Sequence, residues 1–470
     1  MKEVSGTPTV TPMGADATSE ATSRFQVLIA GGGVAAVEAL LALRALAPDR
    51  VRPTLVAPDP TFRYRPLSVT QPFGLGVPRG FDLAEMALAN GGSFIHEAIS
   101  GVVPERRRVR TAGGGSIAYD ALLIAIGAQA GTTIPGALAF WDSADRGAYG
   151  EIVAELEAGR LRRLAFAVPD QVGWPLGLYE LALLTGARVG ELGLEDVELT
   201  LVTSEPRPLA IFGERAGEVV ADLLKQSGVA LRVGAPPIGF AGGQLSVRGG
   251  RPIPCERAIS LPIPEVPRIT GLPQDERGFI PVDRFGKVLG LERVFAAGDA
   301  TWFPVKQGGL ATQAADSAAS AIAELAGAAV EASPFHPVLR GALLTKWGPR
   351  YIRARSHGLT GAASRSALWW PPAKVAGRYL APYLAARAGY EIPERPLKDL
   401  DPPPGDDPTD TASGHEDVVG LALASAEVDA REQDFPGALR WLEVAEDLEL
   451  YLPREYELKR ETWKALTERG

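Results

Sequence analysis

The feature that most narrows what this chain can fold into is its first apolar run. Phe25-Gln-Val-Leu-Ile-Ala30 is a continuous strand signal that feeds directly into Gly31-Gly32-Gly33. An uninterrupted apolar strand suits burial on both faces of a parallel sheet, where strict alternation is not required. Val34 to Leu46 then reads as a helix rich in Ala and Leu, and Thr54-Leu-Val-Ala57 as a second strand, which completes one strand–helix–strand unit.

Inside that unit, Gly31-x-Gly33-x-x-Ala36 has the spacing of a dinucleotide-binding turn. Gly31 lets the chain turn tightly, Gly33 leaves room for a pyrophosphate against the backbone, and Ala36 lets helix and strand pack closely. The phosphates would then rest on N–H groups at the positive end of the helix dipole. A glycine-rich turn without a ligand is the plain alternative. The acid that holds the adenosine ribose is expected about 20 residues further on. That slot falls at Ala57, so Asp59 is the substitute, in competition with an ordinary turn Asp in Ala-Pro-Asp-Pro.

The same grammar returns later. Leu164-Ala-Phe-Ala-Val168 reads as a strand, Leu178 to Thr185 as a helix and Leu199 to Thr203 as a second strand. Thr54-Leu-Val-Ala-Pro-Asp-Pro60 nearly repeats in Thr200-Leu-Val-Thr-Ser-Glu-Pro206, at the equivalent point of each unit. The fold class is therefore α/β: two Rossmann-like units, the first discontinuous, with a C-terminal interface region and a helical tail. Residues 1–24 read as a flexible leader, 25–150 and 275–330 as the first domain, and 151–274 as the second. Residues 331–400 read as an irregular aromatic and basic region, 401–416 as an acidic Pro-rich linker, and 417–470 as a tetratricopeptide-like helical tail.

Charge and composition exclude several functions. With 57 Asp+Glu against 48 Lys+Arg, the net charge of -9 argues against nucleic acid as the partner. Four His and one Cys leave little for a metal site, and none is expected. The lone Cys255 reads as a half-buried strand residue rather than a redox thiol. The leader lacks the apolar core of a signal peptide, and the uncharged stretch from Ala121 to Trp141 is broken by Gly127, Gly131 and Pro135, so no membrane-crossing helix is expected. The expected location is the cytoplasm, with peripheral contact on the inner face of a membrane as the alternative.

Several segments taken together resemble the FAD domain of two-dinucleotide-fold pyridine nucleotide oxidoreductases, in the branch of sulfide:quinone oxidoreductases and type II NADH dehydrogenases. They are Gly31-Gly-Gly-Val-Ala-Ala-Val-Glu38, Tyr64-Arg-Pro66, Tyr119-Asp-Ala-Leu-Leu-Ile-Ala-Ile-Gly127, Val294-Phe-Ala-Ala-Gly-Asp-Ala300 and Lys306-Gln-Gly-Gly-Leu-Ala311. The resemblance implies FAD, held by Gly31, Gly33, Val34, Ala35, Asp59, Arg65, Ile99, Ala125, Gly127, Gly298, Asp299, Lys306, Leu310 and Ala311. Asp299 would meet the ribityl hydroxyls. The helix from about Leu310 would aim its N-terminus at the flavin's pyrimidine edge, where negative charge develops on reduction. Lys306 would add charge there, or else be a solvated loop lysine.

The resemblance weakens at the second unit, whose junction reads Val168-Pro-Asp-Gln-Val-Gly-Trp-Pro-Leu-Gly-Leu-Tyr-Glu180. Pro169 and Pro175 remove backbone donors and Asp170 repels a pyrophosphate, which makes NAD(P)H a doubtful second cofactor, although Glu205 stands where a ribose acid would, with a turn residue beside Pro206 as the alternative. Trp174 and Pro175 are candidates for the face that meets a ring substrate or acceptor, with Trp174 packing helix against sheet as the alternative. One cysteine cannot run thiol-pair sulfide chemistry.

Leu368-Trp-Trp-Pro-Pro-Ala-Lys-Val-Ala-Gly-Arg-Tyr-Leu-Ala-Pro-Tyr383 suits either a membrane interface or the covering of the flavin domain or a dimer contact. The tail cannot bury its own apolar face and must dock on the body, a second copy or a partner protein. The expectation is an FAD-dependent oxidoreductase that takes electrons from a small donor and passes them to a quinone or similar small acceptor. The alternatives are a soluble NAD(P)H-dependent flavin reductase and a non-catalytic FAD-binding adaptor acting through its tail. No residue is forced as a general acid or base.

Overall fold

The computed structural model of the protein describes residues 24–75, 79–141, 143–170, 172–355, 362–388, 398–399 and 454–467, with scattered positions between 423 and 442. The leader (apart from Arg24) and the linker at 401–416 lie outside the described residues.

Phe25–Ala30 is the central strand of a five-stranded sheet with the order Val294–Ala296, Ala121–Ile124, Phe25–Ala30, Val51–Ala57, Ser93–His96. Every pairing in it is parallel. Val27 and Ile29 belong to the apolar cluster under the helix Val34–Leu46, while Leu28 and Ala30 belong to the cluster on the opposite face. Both faces are covered, which is why the run shows no polar alternation. The helix is buried continuously from Ala35 to Leu43. It packs against the late helix Gly308–Leu325, whose Ala311, Ala315, Ala318 and Ala319 share its cluster and let the two backbones approach closely.

The second sheet repeats the plan, with Leu138–Ala139, Arg257–Ser260, Arg163–Val168, Glu198–Thr203 and Val229–Arg232 in parallel order. Each unit also carries a three-stranded antiparallel meander, Ile99–Val103 to Ser116–Ala118 in the first and Pro237–Ala241 to Ile253–Pro254 in the second. The near-repeated segments fall on equivalent strands, each lying beside the central strand of its sheet. The helix Leu176–Glu191 is longer at both ends than its apolar core indicates. Because Leu138–Ala139 pairs in the second sheet and Tyr149, Ile152 and Leu156 of the helix Ser143–Glu157 join its core, the chain crosses between units before residue 151, where the sequence places the boundary. The outgoing and returning segments pair with each other as Gln129–Ala130 and Pro264–Glu265.

The described residues between 331 and 399 are not all irregular. They form an antiparallel sheet of Val338–Leu343, Arg350–Arg355 and Ala362–Ser364, followed by the helix Leu380–Arg387. Of the arginines on these strands, Arg340 and Arg350 are buried and Arg353 donates to the Leu368 carbonyl. In the tail, Ala426, Ala438, Leu442 and Trp463 are buried in the same apolar cluster as the second sheet. Among the described residues no helix is long and apolar enough to cross a membrane.

Candidate functional site

The turn after the central strand is shaped by two glycines with different reasons. Gly31 has φ +132°, and a Cβ there would lie 2.1 Å from the Ala125 carbonyl oxygen, so the chain itself demands glycine. Gly33 is exposed, begins the helix Val34–Leu46 without a side-chain cap, and would place a Cβ with nothing within 4 Å. No protein atom needs that space, which fits a pyrophosphate resting on the uncapped N–H groups of Gly33, Val34 and Ala35.

The late chain arrives at the same place. Gly298, with φ +76°, sits with its Cβ position 3.1 Å from the Ala35 Cβ and 3.2 Å from the Ala311 Cβ. It thereby brings together the N-terminal turns of the early and late helices. Ala125 meets Gly31, and Gly127 follows it with φ +69°. In the late helix's first turn, Leu310 donates its N–H to the Gln307 side chain and Ala311 donates to the Gln307 carbonyl. Gly308 and Gly309 supply the remaining donors of that turn.

Asp299, Lys306 and Arg65 form an electrostatic group beside this junction. Burial raises the Asp299 carboxyl above its usual range, against the opposing charges of Lys306 and Arg65. Lys306 is not a solvated loop lysine. Its Nζ donates to the carbonyls of Thr301 at 2.5 Å and Phe303 at 2.6 Å and lies 3.7 Å from the Phe279 ring centre. Burial lowers its pKa to about 7, with Asp299 opposing the shift.

Asp59 stands near the turn but is occupied. It accepts from the Thr61 N–H at 2.9 Å and pairs with Arg63 at 3.4 Å, the arrangement of a turn aspartate. Ile99 opens the first meander and packs in the cluster on the opposite face of the first sheet.

At the second unit the equivalent cradle is closed. Pro175 precedes the helix Leu176–Glu191, and no side chain caps it. Leu176, Leu178 and Tyr179 are buried, and a Cβ on Gly341 of the C-terminal sheet would lie 3.1 Å from Leu176 and 2.9 Å from Phe212. Glu205 is spent internally. Its oxygens accept from Tyr179 at 2.6 Å, Thr203 at 3.0 Å and the Ala210 N–H at 3.1 Å. Trp174 packs edge-on against Phe212 at 5.6 Å, the packing role, and Asp170 pairs with Arg248 at 3.7 Å. Cys255 is fully rather than half buried, lies between strands rather than on one, and has its thiol pushed up to about 11 by burial.

Residues 179–324 match the family described as "Pyridine nucleotide-disulphide oxidoreductase". The fold is similar to the sulfide:quinone oxidoreductase of Aquifex aeolicus, with a TM-score of 0.66 and 18% identity over 82% of this chain and 100% of that one. This chain shares the fold of two-dinucleotide-fold oxidoreductases. It is also similar to a ferredoxin reductase from Rhodopseudomonas palustris, at TM-score 0.55 and 17% identity over 73% of this chain and 89% of the other. An NAD-dependent persulfide reductase from A. fulgidus matches at TM-score 0.53 and 16% identity, over 70% of this chain and 64% of that one. No curated protein sequence matches it.

Sequence reasoning missed two buried charged clusters in the chain. Glu180, 1% exposed, binds the Lys374 Nζ through both oxygens at 2.6 and 2.5 Å and accepts the Leu344 N–H at 2.8 Å. Burial raises the Glu180 carboxyl and lowers the Lys374 ammonium, each opposed by its partner. The second cluster joins Glu38 to Asp316 and to the backbone at Tyr379 and Leu380. A buried Glu inside an apolar helix was the only available signal. The Leu368–Tyr383 segment is thus largely consumed by internal packing: Trp369 is fully buried, while Trp370 remains 44% exposed.

Proposed function

We propose that this oxidoreductase holds FAD at the junction of the early and late helices and passes electrons from a small donor to a quinone or similar small acceptor, without a nicotinamide nucleotide in its second unit. The observation that carries this reading is the contrast between an open cradle at Gly33 and a covered one at Leu176. FAD, when bound, supplies the two-electron redox chemistry. The chain's own residues bind and orient. The N–H groups of Gly33 to Ala35 would hold the pyrophosphate, Asp299 would accept from the ribityl hydroxyls, and the Gly308–Gly309 turn would offer its positive end to charge developing at the pyrimidine edge. Lys306, held on two carbonyls and near neutrality in its titration, keeps a proton next to Asp299.

Sulfide chemistry through a cysteine pair has no second thiol, because the sequence holds one Cys. The donor is accordingly a small reductant of another kind. The similarity to a protein described as a sulfide:quinone oxidoreductase supports a quinone-type acceptor.

The test is an absorption spectrum of the purified protein, followed by anaerobic titration. A flavin spectrum, no bleaching by NADH or NADPH, and reoxidation of dithionite-reduced protein by a soluble quinone analogue are the expected results. Stoichiometric bleaching by NADH or NADPH overturns the exclusion of a nicotinamide donor, and failure of the quinone analogue to reoxidise the reduced protein overturns the acceptor. A colourless protein that stays so with excess FAD ends both.

A further inference from the structure

The second unit holds a cleft that takes no part in the site described above. It lies on the face of the second sheet that carries the meander, away from the helices. Leu199 and Leu201 of the strand Glu198–Thr203 pack on the helix side, whereas Val202 packs with Leu245, Val247 and Cys255 beneath the meander. Thr200 shares the Val202 side by alternation, and the edge strand Val229–Arg232 adds Ala230 and Arg232, the register partners of Thr200 and Val202. The meander covers this face only in part. Between its last strand, Ile253–Pro254, and the two sheet strands lies a half-open space of about 790 Å³. Small-molecule sites span roughly 300–1,000 Å³, so the space is large enough for a ligand.

The first unit treats the equivalent strands differently. There Thr54 and Ser93 are register partners and their hydroxyls lie 3.0 Å apart. Thr200 stands at the place of Thr54 in the near-repeated segment, but Ala230 stands opposite it, and both line the cleft.

The cleft has a direction. Its two sheet strands run parallel, and Val202 pairs with Arg232, so Glu198 sits four residues, roughly 13 Å, below the level of Arg232. Arg251 belongs to the Arg232 end. It lies in the turn between Gln244–Val247 and Ile253–Pro254, and that turn begins with Arg248. The Arg248 N–H donates to the Pro236 carbonyl at 2.8 Å, and its guanidinium pairs at 3.7 Å with Asp170, which follows the end of the strand Arg163–Val168. Ala235, next to Pro236, donates to the Thr203 carbonyl at 2.9 Å, at the same end of the sheet.

The lining is polarised to match. Arg232 and Arg251 are both exposed and both line the cleft, and neither guanidinium has an ion pair or hydrogen bond among the described residues. Below them the wall is apolar, made by Val247, Pro252, Ile253 and Pro254. The acid of the lining, Glu198, stands at the opposite end.

We propose that this cleft binds an elongated amphiphilic carboxylate, with its head between Arg232 and Arg251 and its apolar chain running towards Glu198. Two guanidiniums without an internal anion favour a carboxylate, which each can meet with paired N–H donors. The apolar wall gains when a hydrocarbon chain displaces its water. Glu198 fixes the orientation, because an anion at its end of the cleft is repelled. The cleft is separate from the junction assigned to FAD, and nothing in this binding requires the flavin.

The test is isothermal titration calorimetry of the full-length protein with octanoate, and with octanol and inorganic phosphate as controls. Octanoate should bind saturably with one site per chain, and both controls should bind at least about tenfold more weakly, since each offers only half of the recognised chemistry. Arg232→Gln and Arg251→Gln should each weaken octanoate by about tenfold. Both positions are exposed, so thermal melting should not move. Ala230→Trp, which fills the floor of the cleft from an exposed position, should abolish binding; if that variant does not fold, the combined arginine change decides. Octanol or phosphate binding as tightly as octanoate overturns the proposal. So does the absence of saturable octanoate binding, or binding that survives these substitutions unchanged.

Discussion

The two dinucleotide units share a five-stranded parallel sheet, a glycine-bearing loop after the central strand and a helix that begins there. They differ in what lies in front of the helix. At Gly33 there is open space, whereas at Leu176 the C-terminal sheet has moved in and the acid at the end of the neighbouring strand, Glu205, has turned inward to Tyr179. On the proposed reading, the scaffold is repeated in both halves and the ligand site is open in one. A second unit freed from binding a nucleotide can serve as a platform, and here it carries the C-terminal sheet and the buried face of the tail.

That contrast can be broken by substitution, and the largest effect is expected at Gly31. Gly31→Ala forces a Cβ against the Ala125 carbonyl at a positive φ, which should cost about 3–5 kcal/mol when overpacking and backbone strain add. Urea denaturation of the apo-protein measures it. The corresponding loop residue of the second unit, Gly173, has φ +73° and a Cβ position 3.0 Å from the Pro304 carbonyl, so Gly173→Ala should cost less, about 1–3 kcal/mol. Equal costs would mean that the two loops are under the same constraint.

Next comes the ion pair that fastens the cover of the second site. Glu180→Gln leaves Lys374 buried without its anion and should destabilise by about 3 kcal/mol, whereas the double variant Glu180→Leu with Lys374→Met should recover most of it. If the double variant is as unstable as the single one, shape rather than charge holds that contact. A smaller loss, about 1–2 kcal/mol, is expected for Tyr179→Phe, which takes one donor from Glu205. Flavin content should not change; a parallel fall in bound FAD would show that the sealed unit still takes part in cofactor binding.

The smallest and most discriminating effect is at Gly33. Gly33→Ala meets no protein atom, so apo-protein melting should move little. FAD affinity should fall by about tenfold, roughly 1.4 kcal/mol, because the methyl occupies the phosphate's approach. Unchanged affinity by fluorescence titration would remove the pyrophosphate from that turn.

The open half was legible in the sequence because its constraints are local. Gly31, Gly33 and Ala36 act within one turn, and a strand buried on both faces writes itself as an unbroken apolar run. The late strand Val294–Ala296 and the loop at Gly298 were legible through resemblance, since nothing near them in sequence says which strand they join. The closure of the second half was only half legible. Pro169, Pro175 and the lost glycines showed that a phosphate would be poorly held. What lies against the start of that helix is the C-terminal sheet at Gly341, far along the chain on strands whose arginines disguise their burial. Glu205 was read as either a turn residue or a ribose acid because its true partner, Tyr179, is revealed only when helix and strand are side by side. Lys306 was equally ambiguous, since solvation depends on the aromatic ring of Phe279 folding over it.

The pairing of Ala296 with Ile124 has a consequence for how the molecule is made. During synthesis the early strands must wait, with one edge of their sheet unpaired, until the whole intervening unit has emerged and folded. Closing so long a chain segment is slow, and an exposed parallel edge is prone to aggregate in the meantime. The inserted unit, whose own strands are all contiguous, should mature first on the ribosome and shorten the distance its flanks must search.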